Sequence, residues 1–179
     1  MRDIVLKLNV HEILVEVAQS ESKSASGFKA VEKSLSQLAA IMSVNPFTLT
    51  DANKLVKDLV PLFGYRQKLK KPDLRSEANL CTTLACIAAG DNSYMMDALA
   101  VKVSSMECSE VVQDEVMEHF DIVRPVILDL LNFPTMTKKE KEARSRSKLT
   151  SADFPFLAMP AIGALTMFAR GNSTLRDLF

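Results

Sequence analysis

Apolar residues along this chain recur mainly three and four positions apart, the spacing of one face of an α-helix. The clearest case starts at Phe28, where the pattern predicts an amphipathic helix over about 27–43. The opening stretch is ambiguous, because residues 4–10 alternate like a strand while a longer apolar set fits a helix. We predict a helix over 3–19, with Asn9 and Glu12 resembling a capping box.

Glycine and proline residues mark helix boundaries in the middle of the chain. A third helix is predicted from about Thr50, with Gly64 just past its C-terminus and Pro61 either kinking its last turn or starting a separate one. Pro72 is predicted to open a fourth helix that ends before Gly90. Because this helix is rich in small residues, which let neighbouring helices approach closely, we expect it at the centre of the bundle.

Three more helices are predicted from cap residues and a proline in the following stretch. Asn92 or Ser93 caps a fifth helix that reaches about residue 103. Ser109 caps a sixth helix that reaches about residue 123, and Pro125 opens a short seventh that stops near residue 133.

The C-terminal part of the chain is predicted to hold a charged helix followed by apolar sequence. Thr137 and Glu140 form a capping-box candidate that starts the charged helix, which reaches about residue 147. An apolar helix then stops at Gly171, and Asn172 or Ser173 caps a last helix. The sequence as a whole predicts an all-α, compact bundle of about eight or nine helices with no significant sheet. It forms a single domain over 1–179, which can be subdivided into a helical core (1–135) and a C-terminal segment (136–179).

Composition supports this prediction and limits the cellular setting. Hydrophobic residues make up 47% of the chain while Gly and Pro number only 5 and 7, which favours helices with a mainly aliphatic core. No apolar run approaches the roughly 20 residues that span a bilayer, so we expect no integral membrane segment. The three cysteines, Cys81, Cys86 and Cys108, form no CxxC motif, which favours free buried thiols in a reducing cytoplasmic or nuclear compartment.

Catalytic, cofactor and metal signatures are absent from the sequence. His11 begins a His-Glu pair but lacks the second histidine of a zinc-protease motif, and His119 has no cysteine at a recognised ligand spacing. Nucleophile motifs are also missing, and 5 glycines leave no phosphate-binding loop. We therefore expect no enzyme activity, no metal and no cofactor.

Charge is segmented along the chain, although Lys+Arg and Asp+Glu both number 22. Two blocks are basic and contain the candidate polyanion-binding residues Arg66, Lys68, Lys70, Lys71, Arg75, Lys138, Lys139, Lys141, Arg144 and Arg146. Residues 103–123 form an acidic block without Lys or Arg, in which Glu110, Asp114 and Glu118 are candidate contact residues.

These blocks admit three interpretations. They are ordinary solvated faces, or the basic blocks converge into a groove for phosphates, with Tyr65 beside Arg66 available for stacking. In the third interpretation, the basic and acidic blocks of neighbouring copies pair head to tail and form a ring or filament. The last two are compatible, because a helical protein that polymerises on nucleic acid needs both.

The apolar segment after the charged helix offers a second candidate surface. It packs as a core helix, or it serves as an arm that contacts a partner or a second copy, or it touches a membrane interface. Its candidate contact residues are Phe154, Phe156, Met159 and Phe168.

The sequence favours a non-enzymatic assembly or scaffold protein that self-associates and binds a polyanion, with RNA preferred. At the level of class alone, small helical chains with few motifs of this kind occur among viral nucleocapsid, matrix and accessory proteins. The alternative is a helical adaptor that binds a peptide or helix of a partner protein in an apolar groove, without nucleic acid. Peripheral association with an anionic membrane ranks third.

Overall fold

A computed structural model describes residues 9–44, 52–89, 106–145 and 149–179 of the 179-residue chain. These residues form nine α-helices with short 3-10 turns between some of them, and they contain no strand, which confirms the predicted all-α fold. The helices are α1 (Val10–Glu21), α2 (Phe28–Val44), α3 (Ala52–Leu59), α4 (Leu74–Ala89), α5 (Met106–Glu118), α6 (Phe120–Asn132), α7 (Lys138–Arg144), α8 (Phe154–Phe168) and α9 (Ser173–Leu178).

Helix α4 is the central helix, as its small residues predicted. It packs against α2 on one side and against α5 and α8 on others. Every residue of α4 is buried except Arg75, Asn79 and Thr82. Its alanines, among them Ala85 and Ala88 with no exposed surface, allow the surrounding helices to approach closely.

The helix begins one residue after the buried Asp73 rather than at Pro72. The Asp73 side chain accepts a hydrogen bond from the Ser76 hydroxyl, and its backbone carbonyl accepts one from the Glu77 amide at 3.1 Å. Asp73 is therefore the N-cap, and Pro72 precedes the helix.

Asn9 and Ser109, which were predicted to cap the N-termini of helices, do not do so. Asn9 has a left-handed backbone (φ 53°) and its side chain caps nothing, so a continuous helix over 3–19 cannot pass through it. Ser109 lies inside α5, where its hydroxyl donates to the Met167 carbonyl at 3.3 Å instead of capping. Residues 3–8 and the predicted fifth helix lie outside the described residues.

Pro125 was predicted to open a helix, and this prediction is wrong, because Pro125 lies inside α6. The break falls earlier, at His119, whose backbone leaves the helical region (φ −111°, ψ 25°). A proline removes one backbone hydrogen bond from a helix. Burial outweighs that loss, because α6 places four fully buried side chains on one face: Val123, Val126, Ile127 and Leu130.

The predicted C-terminal cap of the third helix, Gly64, is wrong, but Pro61 starts a separate turn, which is one of the two predicted alternatives. After α3 the chain continues as a 3-10 helix over Val60–Lys68, with Pro61 in its first turn. Gly64 lies within this segment and is not among the described glycines with positive φ, so it is no C-terminal cap. The segment stays ordered because Val60, Leu62 and Phe63 are buried in the core.

The C-terminal capping signals are confirmed. The Thr137 amide donates to Glu140 Oε2 at 2.8 Å and the Glu140 amide donates to Thr137 Oγ1 at 3.3 Å, which completes the capping box of α7. Asn172 Oδ1 accepts from the Leu175 amide at 2.9 Å and caps α9. Gly171 adopts φ 69°, the left-handed conformation typical of residues just past a helix, although α8 itself ends at Phe168, before the predicted end.

Candidate polyanion-binding surface

Arg66 belongs to a buried ion cluster rather than to an open surface. Its guanidinium donates to both carboxylate oxygens of Glu77, at 2.8 and 3.0 Å, and contacts Asp129 Oδ2 at 3.0 Å. The cluster joins the 3-10 segment to α4 and α6. Two carboxylates therefore neutralise Arg66 inside the fold, which leaves it little capacity to attract a phosphate.

The two basic blocks of the sequence meet in the structure. Lys71, in the segment before α4, donates from Nζ to the backbone carbonyl of Glu142 near the end of α7, at 2.6 Å. Lys70 and Lys71 are exposed, as are Lys138 and Lys139 on the first turn of α7. We call these four lysines the basic surface.

The lysines of the basic surface are exposed and pair with no carboxylate that the structure describes. None of the four forms an ion pair with a carboxylate among the described residues. The contact of Lys71 with a neutral carbonyl leaves its positive charge uncompensated. Ammonium groups that pair with no carboxylate can release condensed counterions from a polyanion, which is the main source of affinity in such complexes.

Two other members of the predicted basic set, Lys68 and Lys141, make contacts within the protein. Lys68 is exposed but its Nζ donates to the Ser22 carbonyl at 3.1 Å, beyond the end of α1. Lys141 is half-buried, with its Nζ 5.0 Å from the centre of the Phe133 ring and 3.3 Å from the Pro134 carbonyl. The side chain of Arg144 and the whole of Arg146 lie outside the described part of the chain.

Tyr65, which the sequence offered for stacking on a base, is buried. Its hydroxyl donates to the Ser24 carbonyl at 2.9 Å, so the ring faces inward between the 3-10 segment and the turn after α1. Any stacking on this protein must use another aromatic side chain.

Arg75 extends the basic region along α4 towards an open pocket. Its guanidinium donates to Asp153 Oδ1 at 3.0 Å, and half of its side chain remains exposed. The other oxygen of Asp153 accepts from the Thr150 amide and hydroxyl at 2.8 and 2.9 Å. These hydrogen bonds, with Arg75 beside them, hold the pKa of Asp153 below its ordinary value, so the pair stays charged and fixed in place.

The pocket beside this ion pair has a volume of about 390 Å³. It lies between α2, α4 and the start of α8, and it is lined by Ser36, Arg75, Asn79, Asp153, Phe156 and Leu157. Sequence reasoning missed Ser36 and Asn79, because the two residues come from different helices. The only local signal is that Arg75 and Asn79, four positions apart, share one face of the helix, and the structure shows this face to be the least buried.

The predicted contact residues of the apolar segment divide between core and surface. Phe168 is fully buried and Phe154 is partly buried. Phe156 and Met159 are 76% and 61% exposed, and Ile162 on the same face is 47% exposed. The segment is thus a core helix with one open apolar face.

The predicted acidic contact residues share one face of α5. Glu110, Asp114 and Glu118 are spaced four apart and are all exposed. Glu115, by contrast, is buried and lies 3.2 Å from the Nε2 of His119.

The described cysteines and histidines are poorly placed for chemistry. Burial raises the pKa of Cys81 far above its ordinary range and raises that of Cys86 to about 11, so neither thiol is a ready nucleophile. The His11 side chain is buried, which lowers its pKa. Among the residues the structure describes, no three His, Cys, Asp or Glu side chains come together as a metal site.

Comparison with protein-family models, with curated proteins and with solved structures finds no match to this chain. Within the described ranges, no helix is long and apolar enough to cross a bilayer.

Proposed function

We propose that this protein is a non-enzymatic helical assembly protein that binds a polyanion, with RNA as the favoured ligand, and associates with copies of itself. The observation that carries the proposal is the contact of Lys71 with the Glu142 carbonyl at 2.6 Å. This contact brings two basic blocks, about 70 residues apart in sequence, to the same part of the surface. Their convergence supports a binding surface over two separate solvated faces.

The chemistry of the basic surface suits a phosphate backbone. Its lysines are flexible point charges that pair with no described carboxylate, and only Lys71 is held, by a neutral carbonyl, which favours contact with successive phosphates over recognition of one carboxylate. Such contacts position a nucleic acid without reading its sequence.

Self-association is supported by the exposed acidic face of α5. Glu110, Asp114 and Glu118 complement the basic surface in charge, and the two surfaces belong to different elements of the fold. A contact between unlike surfaces of neighbouring copies is heterologous, so it propagates into a ring or a filament.

The alternative function, a helical adaptor, is favoured by one observation. Phe156, Met159 and Ile162 form an exposed apolar stripe along α8, three positions apart. Amphipathic partner helices dock on such stripes through a few apolar anchors. Binding of that kind depends little on salt and needs none of the lysines of the basic surface.

Charge reversal separates the two functions. We expect the double variant Lys70→Glu/Lys71→Glu to abolish RNA binding and to remove any nucleic acid that co-purifies with the protein, read from the ratio of absorbance at nucleic-acid and protein wavelengths. The matched control is Lys23→Glu/Lys57→Glu, which makes the same change of charge at exposed sites on other elements. Equal loss of binding in both variants contradicts a localised basic surface, and unchanged binding of a partner protein in both favours the adaptor.

A further inference from the structure

The pocket between α2, α4 and α8 combines an exposed aromatic ring with polar groups that lack protein partners. Phe156 is 76% exposed and lines the pocket. The Asn79 amide and the Ser36 hydroxyl line the same pocket, and their side chains make no hydrogen bond within the described structure. The volume of about 390 Å³ falls within the range of about 300–1,000 Å³ that is usual for small-ligand sites.

The charges at the pocket favour an uncharged ligand group. Arg75 and Asp153 neutralise each other across 3.0 Å, so the pocket offers no net positive charge to a phosphate. The nearest lysine of the basic surface along the chain is Lys71, four residues before Arg75. An extended chain covers at most about 14 Å over four residues, so one ligand can reach both places.

We infer that this pocket binds an unpaired base of single-stranded RNA, stacked on Phe156, while the phosphates of the same strand contact the basic surface. This inference rests on the proposed function and specifies the form of nucleic acid that is bound. Single-stranded RNA is commonly held in this way, by bases stacked on aromatic rings beside a positively charged track. The bases of a duplex are stacked on one another and cannot enter.

The polar lining favours a base over an apolar peptide. An Asn amide carries donors and an acceptor that match the edge of a base, and a Ser hydroxyl can serve either role. An apolar side chain in the pocket would cover the Asn79 amide and the Ser36 hydroxyl without supplying partners for them, which is costly when those groups lose water.

The test removes the bases from the RNA and the aromatic ring from the protein, separately and together. Affinities are measured for a short single-stranded RNA and for the same backbone without bases, on the wild type and on Phe156→Ala. We expect Phe156→Ala to bind the intact RNA about 5- to 100-fold more weakly, the usual effect of losing one stacked base. Against the base-free strand, Phe156→Ala and the wild type should bind equally, because only the charges remain.

Further variants separate stacking from other contacts. Phe156→Tyr should restore binding and Phe156→Leu should not, because leucine keeps the apolar surface but has no ring. Met159→Ala is the matched control, since Met159 is exposed one turn further along α8 and outside the pocket. An equal loss in Met159→Ala and Phe156→Ala would overturn the inference in favour of apolar docking.

Three other outcomes also decide the matter. If Phe156→Ala binds RNA as the wild type does while Lys70→Glu/Lys71→Glu does not, the pocket inference fails and the proposed function stands. If a free nucleoside monophosphate binds as tightly as the RNA, the pocket is an independent nucleotide site and the inference fails. If the wild type binds no RNA at all, both the proposed function and the inference about the pocket are wrong.

Discussion

Lys71 and Glu142 are joined by a hydrogen bond of 2.6 Å from the lysine Nζ to the backbone carbonyl oxygen. The carbonyl belongs to α7, a helix of 7 residues with its own capping box. Carbonyls near the end of a helix carry partial negative charge and attract a cation. The contact therefore ties α7 to the segment before the central helix and concentrates positive charge where they meet.

Replacing Lys71 by alanine should loosen α7 without unfolding the protein. The contact is exposed, so we expect the free energy of unfolding to change by no more than about 0.5 kcal/mol. Backbone amides of α7 should exchange with solvent faster, as measured by hydrogen exchange. Lys70→Ala, next in the chain, is the control and should leave that exchange unchanged; equal exchange in both variants would show that Lys71 does not hold α7.

Arg66 should contribute to the stability of the fold and not to RNA binding. Substitution by methionine leaves the buried carboxylates of Glu77 and Asp129 without their shared cation, and we expect a loss of about 3–5 kcal/mol in the free energy of unfolding. Denaturant titration measures this loss, with Gln67→Ala at the exposed neighbouring position as the control. A loss below about 1 kcal/mol would mean that the ion cluster contributes little.

Glu77 should make stability depend on pH near neutrality. Burial raises the pKa of its carboxyl from 4.5 to about 7, despite the opposing effect of Arg66. Between these values the folded protein holds a proton that the unfolded chain has released, so this contribution to stability is present at low pH and is lost as pH rises through 7. Glu77→Gln removes the titration.

The measurement for Glu77 is the difference in free energy of unfolding between wild type and Glu77→Gln across this pH range. Asp73 is also buried with a raised pKa and is present in both proteins, so its titration cancels in the difference apart from its coupling to Glu77. Parallel profiles for the two proteins would contradict a raised pKa at Glu77.

Two phenylalanines of α8 should respond in opposite ways to truncation. Phe168 is fully buried, and its replacement by alanine should cost about 3–5 kcal/mol in the free energy of unfolding. Phe156 is 76% exposed, and its replacement should change stability by no more than about 0.5 kcal/mol. Thermal or denaturant unfolding of both variants tests this, and a comparable loss at Phe156 would place its ring in the core.

Much of the fold could be predicted from local patterns. The capping box of Thr137 and Glu140 and the cap at Asn172 are hydrogen bonds over three residues, so the sequence contains both partners. The prediction failed at Pro125, where the local signal of a proline gave way to the burial of an apolar face of α6. Burial depends on the other helices, which no local pattern contains.

The candidate site was predictable only in part, for the same reason. The basic blocks of the sequence include Lys71 and Lys139, which are exposed, but also Arg66, which is paired inside the fold. Its partner Asp129 lies 63 residues further along the chain. Nothing local shows that Tyr65 turns its hydroxyl to Ser24, or that Ser36 and Asn79 share a pocket. Partners distant in sequence decide which of the chemically suitable side chains remain free.

The most direct test of the central claim is the salt dependence of affinity for single-stranded RNA. If the four lysines of the basic surface each displace a counterion, the logarithm of the binding constant should fall with the logarithm of salt concentration with a slope of about −3. In Lys70→Glu/Lys71→Glu, any residual binding should show a slope shallower by about 1.4, the share of two contacts. A slope near zero in the wild type, or an equal slope in the variant, would contradict the account.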